Sequence, residues 1–208
     1  MFVGLTGARF SGYDAVAIGM AEGFVRSKKK RDLFAGLSRL GWTLDPAKNK
    51  EILRGYLSNE FETDVAGRSD IRRSLETVRR LGGGGSIEEV DRALRNWKGD
   101  DPWIERAIAS YLAASPTSVK TIFEQMRRGR LLSLKDAFLR EWNVALNFCR
   151  RSDLFEGARA RLIDKDSRPL WNSAAPSAVR DEEIERYFSE QPAKTHPLTQ
   201  KISAAKID

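Results

Sequence analysis

Ser152-Asp-Leu-Phe-Glu-Gly-Ala-Arg-Ala-Arg-Leu-Ile-Asp-Lys-Asp-Ser-Arg-Pro-Leu-Trp171 is the stretch from which the rest of the chain is read. Ser152 is a helix-capping residue type, and Asp153 and Glu156 put negative charge where a helix start is positive. Leu154, Phe155, Ala158 and Leu162 recur at helical spacing and predict one apolar face. Asp164-Lys165-Asp166 breaks that pattern, and Pro169 ends any helix. Trp171 then stands as a large apolar anchor on a polar segment. Physical chemistry alone predicts an amphipathic helix, a polar turn and a docking indole.

Working back along the chain, the same grammar repeats. Asp45-Pro46, Asp101-Pro102 and Ser115-Pro116 each place a cap before a proline suited to the first helical position. Ser86 with Glu89 predicts a capping box. Ser133 opens the longest helix, to about Arg151, with Leu134, Phe138, Trp142, Ala145 and Phe148 expected toward the core. Asp14 to Glu22 predicts a short helix stopped by Gly23, and Phe24-Val25 a buried short strand. Ser58 to Gly67 reads as an acidic surface loop. The Gly82–Gly85 run lacks the lysine and hydroxyl of a phosphate loop, so it predicts a flexible connector. Asp181-Glu182-Glu183 opens a last short helix, and the residues after Gln191 read as a mobile tail.

The chain has 208 residues, 41% of them apolar, enough for one domain with an appendage. No run of about 18 apolar residues is present, which argues against a transmembrane helix. Met1-Phe2-Val3-Gly4-Leu5 is too short for a signal-peptide core. The single cysteine, Cys149, fits a reducing compartment and reads as buried filler. The lone His196 has no partner in the sequence, and no His, Cys, Asp or Glu cluster has metal spacing. A net charge of +7 suits an anionic partner. Arg26 to Arg31 holds five basic residues in six positions, read as a solvated helix start ahead of a nucleic-acid patch.

Three blocks carry a family resemblance. Ser-Asp-x-x-Glu-Gly-x-x-Ala-x-Leu-Ile-Asp-Lys-Asp-x-x-Pro-x-Trp resembles the C-terminal segment of 3-hydroxyisobutyryl-CoA hydrolases, of the enoyl-CoA hydratase/isomerase (crotonase) superfamily. Leu5-Thr6-Gly7, with Gly19-Met20-Ala21 and Gly23-Phe24-Val25 after a helix, is similar to a second crotonase segment. Ser115-Pro116-Thr117-Ser118-Val119-Lys120 is close to the hydrolases' Ser-Pro-Thr-Ser-Leu-Lys. Arg140-Glu141-Trp142-Asn143 matches that family's Met-Glu-Tyr-Arg only at Glu141.

The resemblance implies a mainly α chain with at most one or two short strands, the C-terminal part of a crotonase-like α/β fold lacking most of the β-spiral core. Its expected parts are a closing αβ element over 1–26, a helical region over 27–190 and a flexible tail over 191–208. In the family, the oxyanion-hole glycines and the catalytic carboxylate pair precede the Leu-Thr-Gly block, where this sequence has only Met1, Phe2 and Val3. No catalytic residue, metal ligand or cofactor is therefore expected; the family's substrate is a coenzyme A thioester. The resemblance implies coenzyme A contacts at Phe155, against adenine, and at Lys165 and Arg168. Expected partners are acyl-CoA together with an N-terminal half, a second copy or another protein over the apolar helix faces, and RNA along the basic cluster. The readings of function are a portion of the hydrolase, inactive alone and serving valine breakdown; a structural, RNA-contacting subunit such as a mitochondrial ribosome component; or another hydratase or isomerase. The expected place is the mitochondrial matrix for a eukaryotic source and the cytoplasm for a bacterial one.

Overall fold

Local capping sets most of the helix starts. In the computed structural model, which describes residues 1–62 and 66–189, Asp45 accepts from Ala47 N at 2.9 Å and Asp101 from Trp103 N at 2.8 Å. Ser115 and Ser133 each accept from the backbone three residues on, at 3.1 Å. Ser86 accepts from Glu89 N at 3.2 Å, but Glu89 reaches one residue further back than a capping box requires, to Gly85 N at 2.8 Å. The described residues form α1 (Phe2–Thr6), α2 (Gly12–Ala17), α3 (Lys30–Leu37), α4 (Pro46–Glu60), α5 (Asp70–Arg73), α6 (Leu75–Gly82), α7 (Ile87–Arg95), α8 (Pro102–Ala113), α9 (Pro116–Gly129), α10 (Leu134–Phe148), α11 (Ser152–Ala158) and α12 (Asp181–Phe188). A π-helical turn, Arg159–Ile163, continues α11.

The chain divides into two units. One holds residues 1–8 with the described residues from Arg79 on. In it α1 packs on α8 and α9, α10 on α12, and α12 on α9. Its core is built from Phe2, Leu5, Leu94, Ile104, Tyr111, Phe123, Val144, Ile184 and Tyr187, with Phe2 and Trp103 rings 5.7 Å apart. Lys120 is buried and donates to Val179 O at 2.6 Å and Asp181 at 2.7 Å, tying α9 to the segment leading into α12. The glycine connector is packed. A Cβ on Gly82 would come within 2.9 Å of Phe2 N, and one on Gly84 within 3.0 Å of Glu89 and Val90 side chains.

The other unit, Arg9–Val78, centres on Asp14. Asp14 is 1% exposed and takes hydrogen bonds from Ser11 N, Ser11 Oγ, Ser69 Oγ and Ile71 N at 2.7–3.0 Å. Burial pushes its carboxyl up, but these donors outweigh burial and hold it below the usual range. In this unit α3 and α4 bury no residue completely; Tyr56 Oη joins them by donating to Leu33 O at 3.1 Å.

Several expectations are corrected. No strand occurs among the described residues, so the fold class over them is all-α rather than α with one or two strands. A strand needs a ladder of backbone bonds to a neighbour. Phe24 O accepts one such bond, from Glu62 N at 2.9 Å, and the next turn starts at Ser27. The helix at Asp14 begins at Gly12 and ends at Ala17, because Gly19 turns left-handed (φ 75°) and Met20 N bonds back to Ala15 O at 2.8 Å. Cys149 is exposed, not buried, because it caps α10 on its outer side. On α10 the buried residues are Val144 and Asn147, while Leu134 and Phe138 are exposed. The expected stripe is thus split: Leu134, Phe138 and Ala145 face out, while Trp142 and Phe148 are half-buried and the Phe148 ring lies 4.5 Å from that of Tyr187. Helix α4 also runs to Glu60, so the loop begins later than expected; Thr63 to Val65 and the expected tail, with His196, lie outside the described residues.

Candidate functional site

The site is the opening stretch folded back on itself around one guanidinium. Helix α11 is too short to be stable by itself, so its neighbours matter. Its cap position is Arg151, with no side-chain cap. Asp153, 4% exposed, accepts from Ser115 Oγ, the cap of α9, and from Asn172 N at 3.4 Å. One buried carboxylate thereby joins the start of α9, the start of α11 and the chain after Trp171. A buried carboxylate persists only when its lone pairs are met in this way.

Glu156 does not serve the helix start. Its Oε1 accepts from Arg159 Nη2 and from Leu170 N, both at 2.7 Å, and its Oε2 from Arg159 Nε at 2.9 Å. The Arg159 guanidinium and then the Leu170 amide hold the Glu156 carboxyl down at about 2. Arg159 reaches further, to Asp164, to Asp166 at 3.0 Å and to Arg168 O at 3.2 Å. Glu156, Asp164 and Asp166, in that order, keep its pKa above the usual value. Asp166 in turn accepts from Arg168 N at 2.8 Å; that amide and the guanidinium lower its carboxyl.

The turn is irregular backbone. Asp164 N bonds to Arg159 O at 2.8 Å, the wider spacing of a π turn. Lys165 and Ser167 both take left-handed φ, 55° and 54°. Such positions are uncommon outside glycine and persist where surroundings over-determine them; here Arg159 and Ser167 N, bonded to Ala160 O at 3.0 Å, do so. Trp171 lies against Gly157, where a Cβ would meet the indole at 3.2 Å, and donates to Ala113 O at 3.2 Å.

The structure brings Lys165 and Arg168 onto this one turn, with both side chains exposed. Phe155, 62% exposed, stands on α11 four residues before Arg159. Sequence reasoning missed the residues that hold the turn: Arg159, Glu156 in its actual role, and Asp153 as a tertiary bridge. The Glu156 to Arg159 spacing of three was a local signal for an ion pair. Nothing local signalled the bonds to Leu170, Ser115 or Asn172. Among the described residues no group of His, Cys, Asp and Glu could hold a metal, and no helix is long and apolar enough to cross a membrane.

The enoyl-CoA hydratase/isomerase family profile matches residues 1–188, and the chain belongs to that family. Within it, the chain is 32% identical over 192 residues to 3-hydroxyisobutyryl-CoA hydrolase-like protein 5 of Arabidopsis thaliana, covering 90% of this chain and 48% of that protein. It is 31% identical over 190 residues to the mitochondrial 3-hydroxyisobutyryl-CoA hydrolase of Danio rerio, covering 91% and 48%. Among solved structures, a carnitinyl-CoA dehydratase from Mycobacterium thermoresistibile superposes with a TM-score of 0.73 at 25% identity, over 93% of this chain and 52% of that one. An enoyl-CoA hydratase from Rhodobacter sphaeroides gives 0.70 at 28%, over 90% and 50%. The chain thus spans about half the length of the relatives it matches.

Proposed function

We propose that this chain is the C-terminal, coenzyme-A-contacting portion of a 3-hydroxyisobutyryl-CoA hydrolase-like protein, serving acyl-CoA thioester hydrolysis in valine breakdown, and that it does not turn over thioesters alone. The supporting observation is identity to proteins named as that hydrolase across 90% of this chain and half of their length. In this reading Lys165 and Arg168 meet the phosphates of coenzyme A, and Phe155 offers its ring to the adenine. The Arg159 hub fixes the turn beforehand, which lowers the ordering cost of binding.

Thioester hydrolysis needs an oxyanion hole and a positioned base. The best-fixed carboxylates here, Asp14, Asp153 and Glu156, are all occupied as acceptors of structural hydrogen bonds. In this reading these three carboxylates hold the fold rather than serve as the positioned base. For a eukaryotic source the same reading places it in the mitochondrial matrix, since relatives from Danio rerio and Gallus gallus carry "mitochondrial" in their names.

The test pairs binding with turnover. Calorimetry should show coenzyme A binding that weakens about tenfold or more in Phe155→Ala and in the Lys165→Ala/Arg168→Ala double variant. The purified chain should release no coenzyme A from 3-hydroxyisobutyryl-CoA above a boiled control. Turnover, or binding indifferent to these side chains, would overturn the reading.

A second reading rests on the basic cluster. Lys28, Lys30 and Arg31 line an exposed concavity of about 630 Å³ with Ser27 and Phe34. As an RNA-contacting surface it would bind with strong salt dependence. Binding of single-stranded RNA that survives Lys28→Glu/Lys30→Glu unchanged would remove it.

A further inference from the structure

Arg140 on α10 is a charged residue whose packing leaves a donor unmet. Its Nη1 is buried and has no hydrogen-bond partner. A guanidinium stays protonated under all ordinary conditions, so an unmet buried N–H of this group is costly. It lines a cavity of about 490 Å³ among residues of α9, α10 and α12, within the range of small-molecule sites. The far end of α12 is fixed there by Asn147, whose amide donates to Tyr187 O at 3.0 Å and Ser189 O at 3.1 Å.

Arg128 and Glu185, an ion pair in the wall, are already matched, and Asp136 has an uncharged donor. Arg128 holds Glu124 and Glu185, both at 3.0 Å, and stacks over the Phe188 ring at 4.4 Å. Asp136 accepts from Ser133 Oγ at 2.7 Å. Arg140 is thus the cation of this wall with a buried N–H left unmet, and Asn143 adds an uncharged amide one turn along the same face. Leu139 and Phe188 provide apolar lining.

We propose that this cavity binds a small carboxylate monoanion, seated on Arg140 with Asn143 as a second donor and its apolar end toward Leu139 and Phe188. A buried guanidinium N–H left unmet calls for a hydrogen-bond acceptor, and a charged acceptor makes the stronger bond. Repulsion from the Asp136 and Glu185 carboxylates is stronger for a dianion such as phosphate than for a monoanion. A planar carboxylate also matches the guanidinium fork.

The experiment uses the 208-residue chain with butanoate as probe. Butanamide and inorganic phosphate serve as comparators. Saturable shifts of the Arg140 side-chain and Phe188 ring signals are expected in wild-type NMR spectra with butanoate, and none with butanamide. Arg140→Met should weaken binding about tenfold or more, as expected for loss of a charge-assisted hydrogen bond. The wild-type shifts stand as a readout even if that variant folds poorly. Absence of saturable shifts, equal binding of butanamide, tighter binding of phosphate, or a folded Arg140→Met that binds butanoate as before would each overturn the proposal.

Discussion

Glu156 Oε1 and the Leu170 amide, fourteen residues apart, are joined at 2.7 Å, and the same oxygen accepts from Arg159. This pair closes the turn carrying Lys165 and Arg168, and it makes the turn acid-sensitive. Glu156 is held at about 2, below its ordinary 4.5. A carboxyl lowered on folding contributes stability that is fully present above the unfolded value and is lost as pH falls through the folded one. The turn should therefore loosen between about pH 4.5 and pH 2, with Asp166 acting in the same direction. Protection of the Leu170 amide against hydrogen exchange, relative to its intrinsic rate at each pH, should fall across that window, and Glu156→Ala should show little protection already at neutral pH. Protection that is flat with pH in the wild type would contradict the hub.

Asp153 should matter more than its place in a first helical turn suggests. Asp153→Ala strands the Ser115 hydroxyl and the Asn172 amide, and such losses in a buried network cost about 2–4 kcal/mol. Urea unfolding of Asp153→Ala, Ser115→Ala and the double variant forms a cycle. A coupling well above about 0.5 kcal/mol is expected. Purely additive losses would mean that the two side chains act separately.

Trp171 is half-buried, so its removal is expected to cost less than that of a core indole. It loses its contact with Gly157 and its bond to Ala113 O. Trp171→Ala should lower stability by about 1–3 kcal/mol, short of the ~3–5 kcal/mol for a fully enclosed tryptophan. A change below about 0.5 kcal/mol would class it with ordinary surface positions.

How far the sequence carried the fold depends on the range of the interaction. Asp45, Asp101, Ser115 and Ser133 were legible as helix starts, because a cap and its amide lie two or three residues apart. The resemblance to the hydrolases was legible for the same reason, as short ordered blocks. What failed was long-range. Helix α10 has two stripes able to face inward, and its neighbours, not its own spacing, chose Val144 and Asn147. The strand expected at Phe24-Val25 required a ladder partner that periodicity cannot supply. The candidate turn was legible as residues but not as geometry. Lys165 and Arg168 could be named, while the Arg159 hub depends on bonds to Asp166, Arg168 and, through Glu156, Leu170.

Cys149 offers a direct check on the corrected burial. An exposed thiol at the end of α10 should react completely with a disulfide reagent in native buffer, at one equivalent per chain. Reaction only after denaturant would restore the original reading of buried filler.

The outward stripe of α10 leads to the last expectation. Leu134 and Phe138 are 58% and 45% exposed and sit four residues apart, on one face. Leu131 precedes them, almost fully exposed. The segment after α11 adds Leu162, Ile163 and Leu170, also exposed. Single exposed apolar residues are normal, but contiguous patches drive association. The purified chain should therefore self-associate in light scattering and bind a dye that reports apolar surface. Leu134→Glu with Phe138→Glu tests whether the α10 stripe takes part. These side chains contribute little to the core, so thermal stability should change by no more than about 0.5 kcal/mol per site. Association should fall, because two charges on the stripe would have to be desolvated on contact. A monodisperse wild-type monomer that ignores the dye would refute the expectation. An associated wild type whose variant associates equally would move the contact from α10 to the segment around Leu162 and Leu170.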